Sequence, residues 1–284
     1  MAFLALLASL LWGTADYLGG VLTRRRPALV VVLAMQVTGL VAVAALAAVR
    51  GAAPVGDYLW YAAAAGAAGA MALTSFYQAL AIGTMGVVAP VAATGVGVPV
   101  VVSWLRGERP AAMAAAGLLL AAAGVVLSSG FDPRNGRGRS SLPATGLAAV
   151  AAVGFGSVLV LVDRAADQEV YSTPVLLVVM RATTAVVVAL VLLARRGPVR
   201  VARADLPALC VTGLCDVAAV GLYAVASTSD ADLAVVAVLA SLYPVVTALI
   251  ARRLLAERLS RVQVGGVVTV LVGVSLIAGS GAAA

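Results

Sequence analysis

The chain has 284 residues, 63% of them hydrophobic and 11% charged, with a mean hydropathy of +1.10, whereas a soluble domain is about half apolar and about a quarter charged. Folded in water it would leave more apolar surface than its core could hide, so the composition excludes a soluble domain and implies a bilayer, in which one helix needs about 20 apolar residues. The net charge of +7 comes from 19 Arg with no Lys and no His, which excludes His bases, His metal ligands, Lys Schiff bases and the phosphate-loop lysine.

In chain order, apolar runs of spanning length occur at about 2–22, 29–49, 58–82, 86–105, 111–130, 143–163, 173–194, 206–227, 232–252 and 262–280. No basic residue precedes the first run and further spans follow at once, so it reads as a span and not as a cleaved leader. Residues 131–142, rich in Gly, Pro, Ser and Arg, read as a linker loop dividing a first five-helix repeat, 1–130, from a second, 143–284. The fold expected is an all-α polytopic membrane protein of ten transmembrane helices. Cys210 and Cys215, five apart in one run, fall on different helix faces, which argues against a disulfide or a metal site.

The two halves repeat. Glu108-Arg109 answers Glu257-Arg258, Gly117 answers Gly266 and Gly124 answers Gly273, all at an offset of 149 residues. At slightly smaller offsets Phe76-Tyr77 matches Leu222-Tyr223, and Met35-Gln36 matches Met180-Arg181. With five spans in each copy, the second enters the membrane from the opposite side, which is the inverted-repeat plan of secondary transporters. Loops after odd-numbered spans carry 14 Arg and loops after even-numbered spans carry 4. The positive-inside rule places the odd loops in the cytoplasm and both termini outside. Arg in these short loops orients helices against the membrane, so no nucleic-acid partner is expected.

Charged groups inside spans are costly and ask for a reason. Three stand out: Asp16 in span 1, Arg181 in span 7 and Asp216 in span 8. Their depths along parallel and antiparallel helices put Asp216 between the other two. Arg181, a charged planar fork, suits a substrate carboxylate or phosphate. Asp16 suits an ammonium group or a proton, with Tyr17 beside it. The competing readings are that Arg181 and Asp216 neutralise one another and that Asp16 snorkels to the interface. Helix breaks are expected at Pro90 and Pro99 in span 4 and at Pro244 in span 9, because freed backbone groups are tolerated where they line a cavity. Gln36, Ser75, Tyr77, Gln78, Thr94, Tyr223, Ser241 and Tyr243 are the polar or aromatic side chains around them, with ordinary interhelical hydrogen bonds as the alternative role. Trp12, Trp60 and Trp104 read as structural and include interface anchors, with Trp60 and Trp104 near span ends. Glu108 and Glu257 are expected to complement the N-termini of spans 5 and 10, and Gly117/Gly124 and Gly266/Gly273 to allow close helix packing.

Leu11-Trp12-Gly13, Val88-Ala89-Pro90, the Arg-Gly-Glu-Arg-Pro turn at 106–110, Ala240-Ser241-Leu242-Tyr243-Pro244 and Leu255-Ala256-Glu257-Arg258-Leu259 resemble the drug/metabolite transporter superfamily, specifically its ten-helix EamA-type branch. That resemblance implies carriage of small metabolites, amino acids among them, through a central cavity between the halves, with no catalytic motif and no cofactor. It also implies cytoplasmic termini, opposite to the Arg distribution. The function expected is a secondary transporter in the cell (inner or plasma) membrane, exporting a small polar metabolite such as a zwitterion or anion. The alternative cargo is a hydrophobic drug or lipid, for which the cavity should be aromatic and acidic. An intramembrane enzyme lacks its nucleophile-and-base or metal motif here, and a non-transporting membrane partner would have no use for buried ions. A monomer and a homodimer are equally compatible with the chain.

Overall fold

A computed structural model of the protein describes residues 2–51, 56–107, 111–128, 142–169, 172–195, 201–227, 233–257 and 259–281, and these residues are helical apart from short turns. The helices are α1 (Ala2–Thr23), α2 (Ala28–Val49), α3 (Tyr58–Ile82), α4 (Met85–Ala93), α5 (Gly97–Leu105), α6 (Ala112–Ser128), α7 (Leu142–Ala166), α8 (Thr173–Ala194), α9 (Leu206–Ser227), α10 (Leu233–Ala240), α11 (Tyr243–Leu254) and α12 (Arg261–Gly281). Among the described residues eight helices are long and apolar enough to cross a membrane, and Ala112–Leu127 is a shorter apolar one. Span 4 is α4 and α5 in tandem, span 9 is α10 and α11, and the ten spans of two inverted repeats are accounted for. Glu108, Arg109, Pro110, Arg258 and residues 131–141 of the expected linker lie outside the described residues; Leu142, the last residue assigned to that linker, already opens α7.

The packing obeys a pseudo-twofold rule. α1 pairs with α9 and, equivalently, α3 with α7; α6 packs on its own counterpart α12, and α2 on its counterpart α8. Such self-pairing is what an axis lying in the membrane plane imposes. The α6–α12 contact is made at backbone distance. A Cβ on Gly124 would lie 2.5 Å from Val270 N and 2.7 Å from Gly266 O, and one on Gly117 would lie 2.7 Å from Gly273 O. In lipid the hydrophobic effect does not drive helices together, so small residues that let backbones approach supply the association through dispersion contacts. Large apolar side chains such as Val41, Leu119, Val126 and Leu193 are exposed around the outside, where acyl chains replace water.

The two faces of the bundle differ. On the face of the odd-numbered loops one apolar core unites residues of spans 1, 2, 3, 4, 6, 7, 8 and 9, from Leu22, Val31 and Leu80 through Met85, Ala148 and Leu192 to Leu209 and Ala251. On the opposite face the described buried residues form two separate clusters. One joins α3, α7 and α8 through Tyr58, Ala165 and Leu176; the other joins α1, α9 and α10 through Ala5, Ala226 and Val236. Among the described residues, one continuous core thus closes the odd-loop face, while the buried residues of the other fall into two groups.

Candidate functional site

The three intramembrane charges converge. Arg181 on α8 donates from Nη2 to Asp216 Oδ2 of α9 at 2.6 Å and from Nη1 to Gln36 Oε1 of α2 at 2.9 Å. Gln36 and Arg181 are equivalent positions of the two repeats, so the residues that matched in sequence meet at the axis. The guanidinium lies where Gly39 has no side chain: a Cβ there would stand 2.5 Å from Arg181 Nη1. Gln36 and Arg181 are buried, and the Asp216 side chain is 26% exposed. The two ions thus neutralise one another within hydrogen-bonding geometry, as buried charges must. Arg181 Nε is buried without a partner, and Arg181 also borders a small cavity of about 70 Å³ between α2, α8 and α9, otherwise apolar through Val43, Leu46, Pro174, Leu177, Val217 and Val220.

Asp16 is the charge left over. It lies close enough to Asp216 for their charges to act on each other, while Asp16 Oδ2 is buried with no hydrogen-bond partner. Asp16 as a whole is half-buried, with Oδ2 the oxygen turned into the bundle. Around it stand aromatic rings. Trp12 lies 5.9 Å from Tyr223 and 6.2 Å from Tyr243, centroid to centroid. Tyr77 is fully buried and within the field of both Asp16 and Asp216, and Tyr243 is within that of Asp16. Tyr77 sits against the bare backbone of Gly19. Ser9, seven residues before Asp16 and so on the same face of α1, also has a buried hydroxyl with no partner.

Not every expected residue joins this group. Tyr17 packs against the odd-face core instead, and Gln78 is half-buried one position past Tyr77, about 100° further round α3. Thr94 and Ser241 occupy equivalent breaks, and both spend their hydroxyls on their own helices, donating to Val91 O and Val238 O at 2.7 Å. Span 4 breaks at Thr94–Val96, which is a 3-10 turn, and Pro99 lies in the first turn of α5. Span 9 breaks at Ser241-Leu242, with Pro244 in the first turn of α11. Both prolines follow the break because the first turn needs no N–H from them. Pro90 corrects the expectation: it sits inside α4, which continues as helix through it. The two breaks also face different partners. Gly95 at the first abuts the backbone of Ala152 and Gly156 on α7, whereas Tyr243 at the second reaches Trp12.

Sequence reasoning missed Trp12, which was grouped with the structural tryptophans, although its i, i+4 spacing from Asp16 places both on one helix face. Trp60 and Trp104 are exposed near helix ends on the even-loop face, as anchors are. Glu257 is a second correction. It complements the start of span 4 and not span 10, accepting the Gly86 N–H at 3.4 Å. Cys210 and Cys215 are free thiols, and among the described residues no three His, Cys, Asp or Glu side chains gather where a metal could bind. A larger apolar groove of about 360 Å³, between Leu242 and Val268, Leu271, Val272, Ser275 and Leu276 of α12, lies apart from the acids.

Comparison with known proteins places this arrangement. The EamA-like transporter family matches residues 1–130 and 142–279. No curated protein matches the chain. Among solved structures, one described only as the crystal structure of a protein superposes with a TM-score of 0.64 at 20% identity, over 97% of this chain and 96% of that one, which establishes likeness of fold. With two matched halves, ten spans and buried charges near the contact between the halves, the chain belongs to the EamA-like transporter family and is a multi-pass membrane transporter of small molecules, not an enzyme.

Proposed function

We propose that the protein is a secondary transporter for a small amine-bearing solute, whose ammonium group binds Asp16 against the rings of Trp12 and Tyr243. The observation that carries this reading is the buried Asp16 Oδ2 with no partner. A buried polar atom without a hydrogen bond is rare and costs free energy unless something else satisfies it. Asp216 has its cation already, and Arg181 its anion, so the unmatched group is an acid. An acid flanked by aromatic faces fits an ammonium through charge and through the ring quadrupole together. Of the cargoes expected from the sequence, the zwitterionic metabolite and those hydrophobic drugs that carry an amine fall in this class, and a plain anion or an amine-free lipid does not. One feature favours a zwitterion among them: Arg181 Nε is unpaired and Arg181 borders a cavity of about 70 Å³, room for a group of few atoms. The setting proposed is the cell membrane, with the Arg-rich odd loops in the cytoplasm and alternation of access through rocking of the two repeats.

The test is flux of a panel of amino acids, small organic amines and amine-free carboxylates in sealed vesicles containing the purified protein, loaded from either side so that direction is read as well. Asp16→Asn should lower kcat/KM for amines by about 100-fold, the loss expected on removing one charge-assisted contact of about 3 kcal/mol. Trp12→Ala should lower it by about tenfold. Amine flux that survives Asp16→Asn undiminished, or a preference for amine-free carboxylates, would remove the reading.

A further inference from the structure

We infer that Arg24, Arg26, Asp205 and Glu257 form a latch that holds the odd-loop face shut and must open in each transport cycle. Arg24 Nη2 donates to Glu257 Oε1 at 2.7 Å, and Arg26 Nε donates to Asp205 Oδ2 at 2.7 Å. Both arginines lie in the loop between α1 and α2, in the first repeat. Their partners lie in two loops of the second repeat, before α9 and between α11 and α12. Each pair therefore crosses the boundary between the two bodies whose relative motion alternates access. The acids are mostly buried, Glu257 at 12% exposure and Asp205 at 22%, with the arginines at about a third. Pairs so placed are screened less by salt than pairs wholly in solvent.

Glu257 does more than hold Arg24. Its second oxygen takes the Gly86 N–H in the first turn of α4, where unpaired donors and the helix dipole favour an anion. Leu255 and Leu259 on either side pack on the odd-face core, and Leu259 closes over Gly86. The turn that presents Glu257 is bent by Ala256 at φ 53°, a left-handed conformation costly for alanine. The equivalent residue of the first repeat, Gly107, has φ 86°. The turn is thus built into both copies, and in the second it is maintained against strain.

Among the described residues the latch has no counterpart on the other face. Arg24 and Arg26 are the first and third residues after α1; the first and third after α7 are Asp167 and Glu169. Asp205 directly precedes α9, as Asp57 directly precedes α3. Where the latch positions of one face hold arginines and acids, the matching described positions of the other hold acids alone. Among the described residues Asp167 pairs with Arg164, three residues before it, at 4.0 Å and in an exposed pair. Attraction at one face and like charge at the other favour the arrangement described above, closed at the odd loops and divided opposite.

The experiment uses full-length protein in nanodiscs with both native cysteines replaced and Ala148, fully buried in the odd-face core, changed to Cys. Labelling by a water-soluble maleimide is followed with no solute present, so its outcome is independent of what Asp16 carries. Arg24→Gln and Arg26→Gln should each speed labelling roughly fivefold, the population shift that follows loss of one half-buried pair. Salt near 1 M, where the Debye length is about 3 Å, should bring the unmodified latch towards the variant rate and leave the double variant unchanged. The exchange R26D/D205R should restore slow labelling. Equal rates with and without the arginines, or a rise that the exchange fails to reverse, would overturn the latch.

Discussion

At the scale of single residues, Arg181 and Asp216 are each tolerable only because of the other. A guanidinium and a carboxylate in the apolar interior forfeit hydration that their mutual hydrogen bond at 2.6 Å must replace. Asp216→Asn leaves Arg181 with Gln36 alone, and should lower stability by about 3 kcal/mol, at the low end for a broken buried pair because Asp216 is partly exposed. A fall in the detergent melting midpoint reads this, and adding Arg181→Gln in the same chain should recover most of it. If Asp216→Asn is harmless, the pair carries no structural weight. The three charges were legible in the sequence because any ion in an apolar run is conspicuous. The pairing of Arg181 with Asp216 was already one of the two readings, since depth sets Asp216 nearer to Arg181 than Asp16 is; what the sequence left open was whether that pair or a solute takes the guanidinium. Gln36 as a partner was foreshadowed by its match with Arg181, because equivalent residues near a twofold axis tend to meet.

At the scale of elements, the spans could be read to within a few residues because spanning length is a one-dimensional property of the chain. The breaks were located by Pro99 and Pro244 but not by Pro90, as a proline removes one hydrogen bond and a helix held by its neighbours can absorb that loss. Trp12 escaped because a lone Trp is as much at home at an interface as in a site. Glu257 escaped for a different reason: its partners are at Gly86 and Arg24, far away in the chain, and no local pattern encodes a contact between loops. The glycines of α6 and α12 were read correctly as packing positions. Gly124→Ala puts a methyl group against the Val270 backbone, which cannot turn aside as a side chain can. It should force the helices apart and cost about 1–3 kcal/mol, as overpacking does. Gly146→Ala, inside α7 where nothing lies within 4 Å, serves as the control and should leave the melting midpoint unchanged or slightly raised, since alanine is the better helix former.

At the scale of the molecule, inversion of the repeats explains why the packing of one half is restated in the other while their surfaces are not. Helix pairing is shared: α1 on α9 repeats α7 on α3, and α6 and α12 complement themselves. Charge is not shared, since the loops that bear Arg24 and Arg26 in one copy bear Asp167 and Glu169 in the other. The repeat was legible from matched glycines and turns and the unequal charge of the faces from the Arg count of the loops; the unequal packing of the faces was not, because it depends on which core residues assemble at each end.

The principal contacts of the bundle, α6 with α12, α1 with α9 and α3 with α7, all run from one repeat to the other. The peptide connecting the repeats is therefore not what keeps them together. A gene severed between codons 131 and 141 and expressed as two fragments should yield halves that insert separately, find each other in the bilayer and co-purify as a carrier with the flux of the uncut chain. Fragments bearing Gly124→Leu should fail to co-purify, although each is a complete set of five helices.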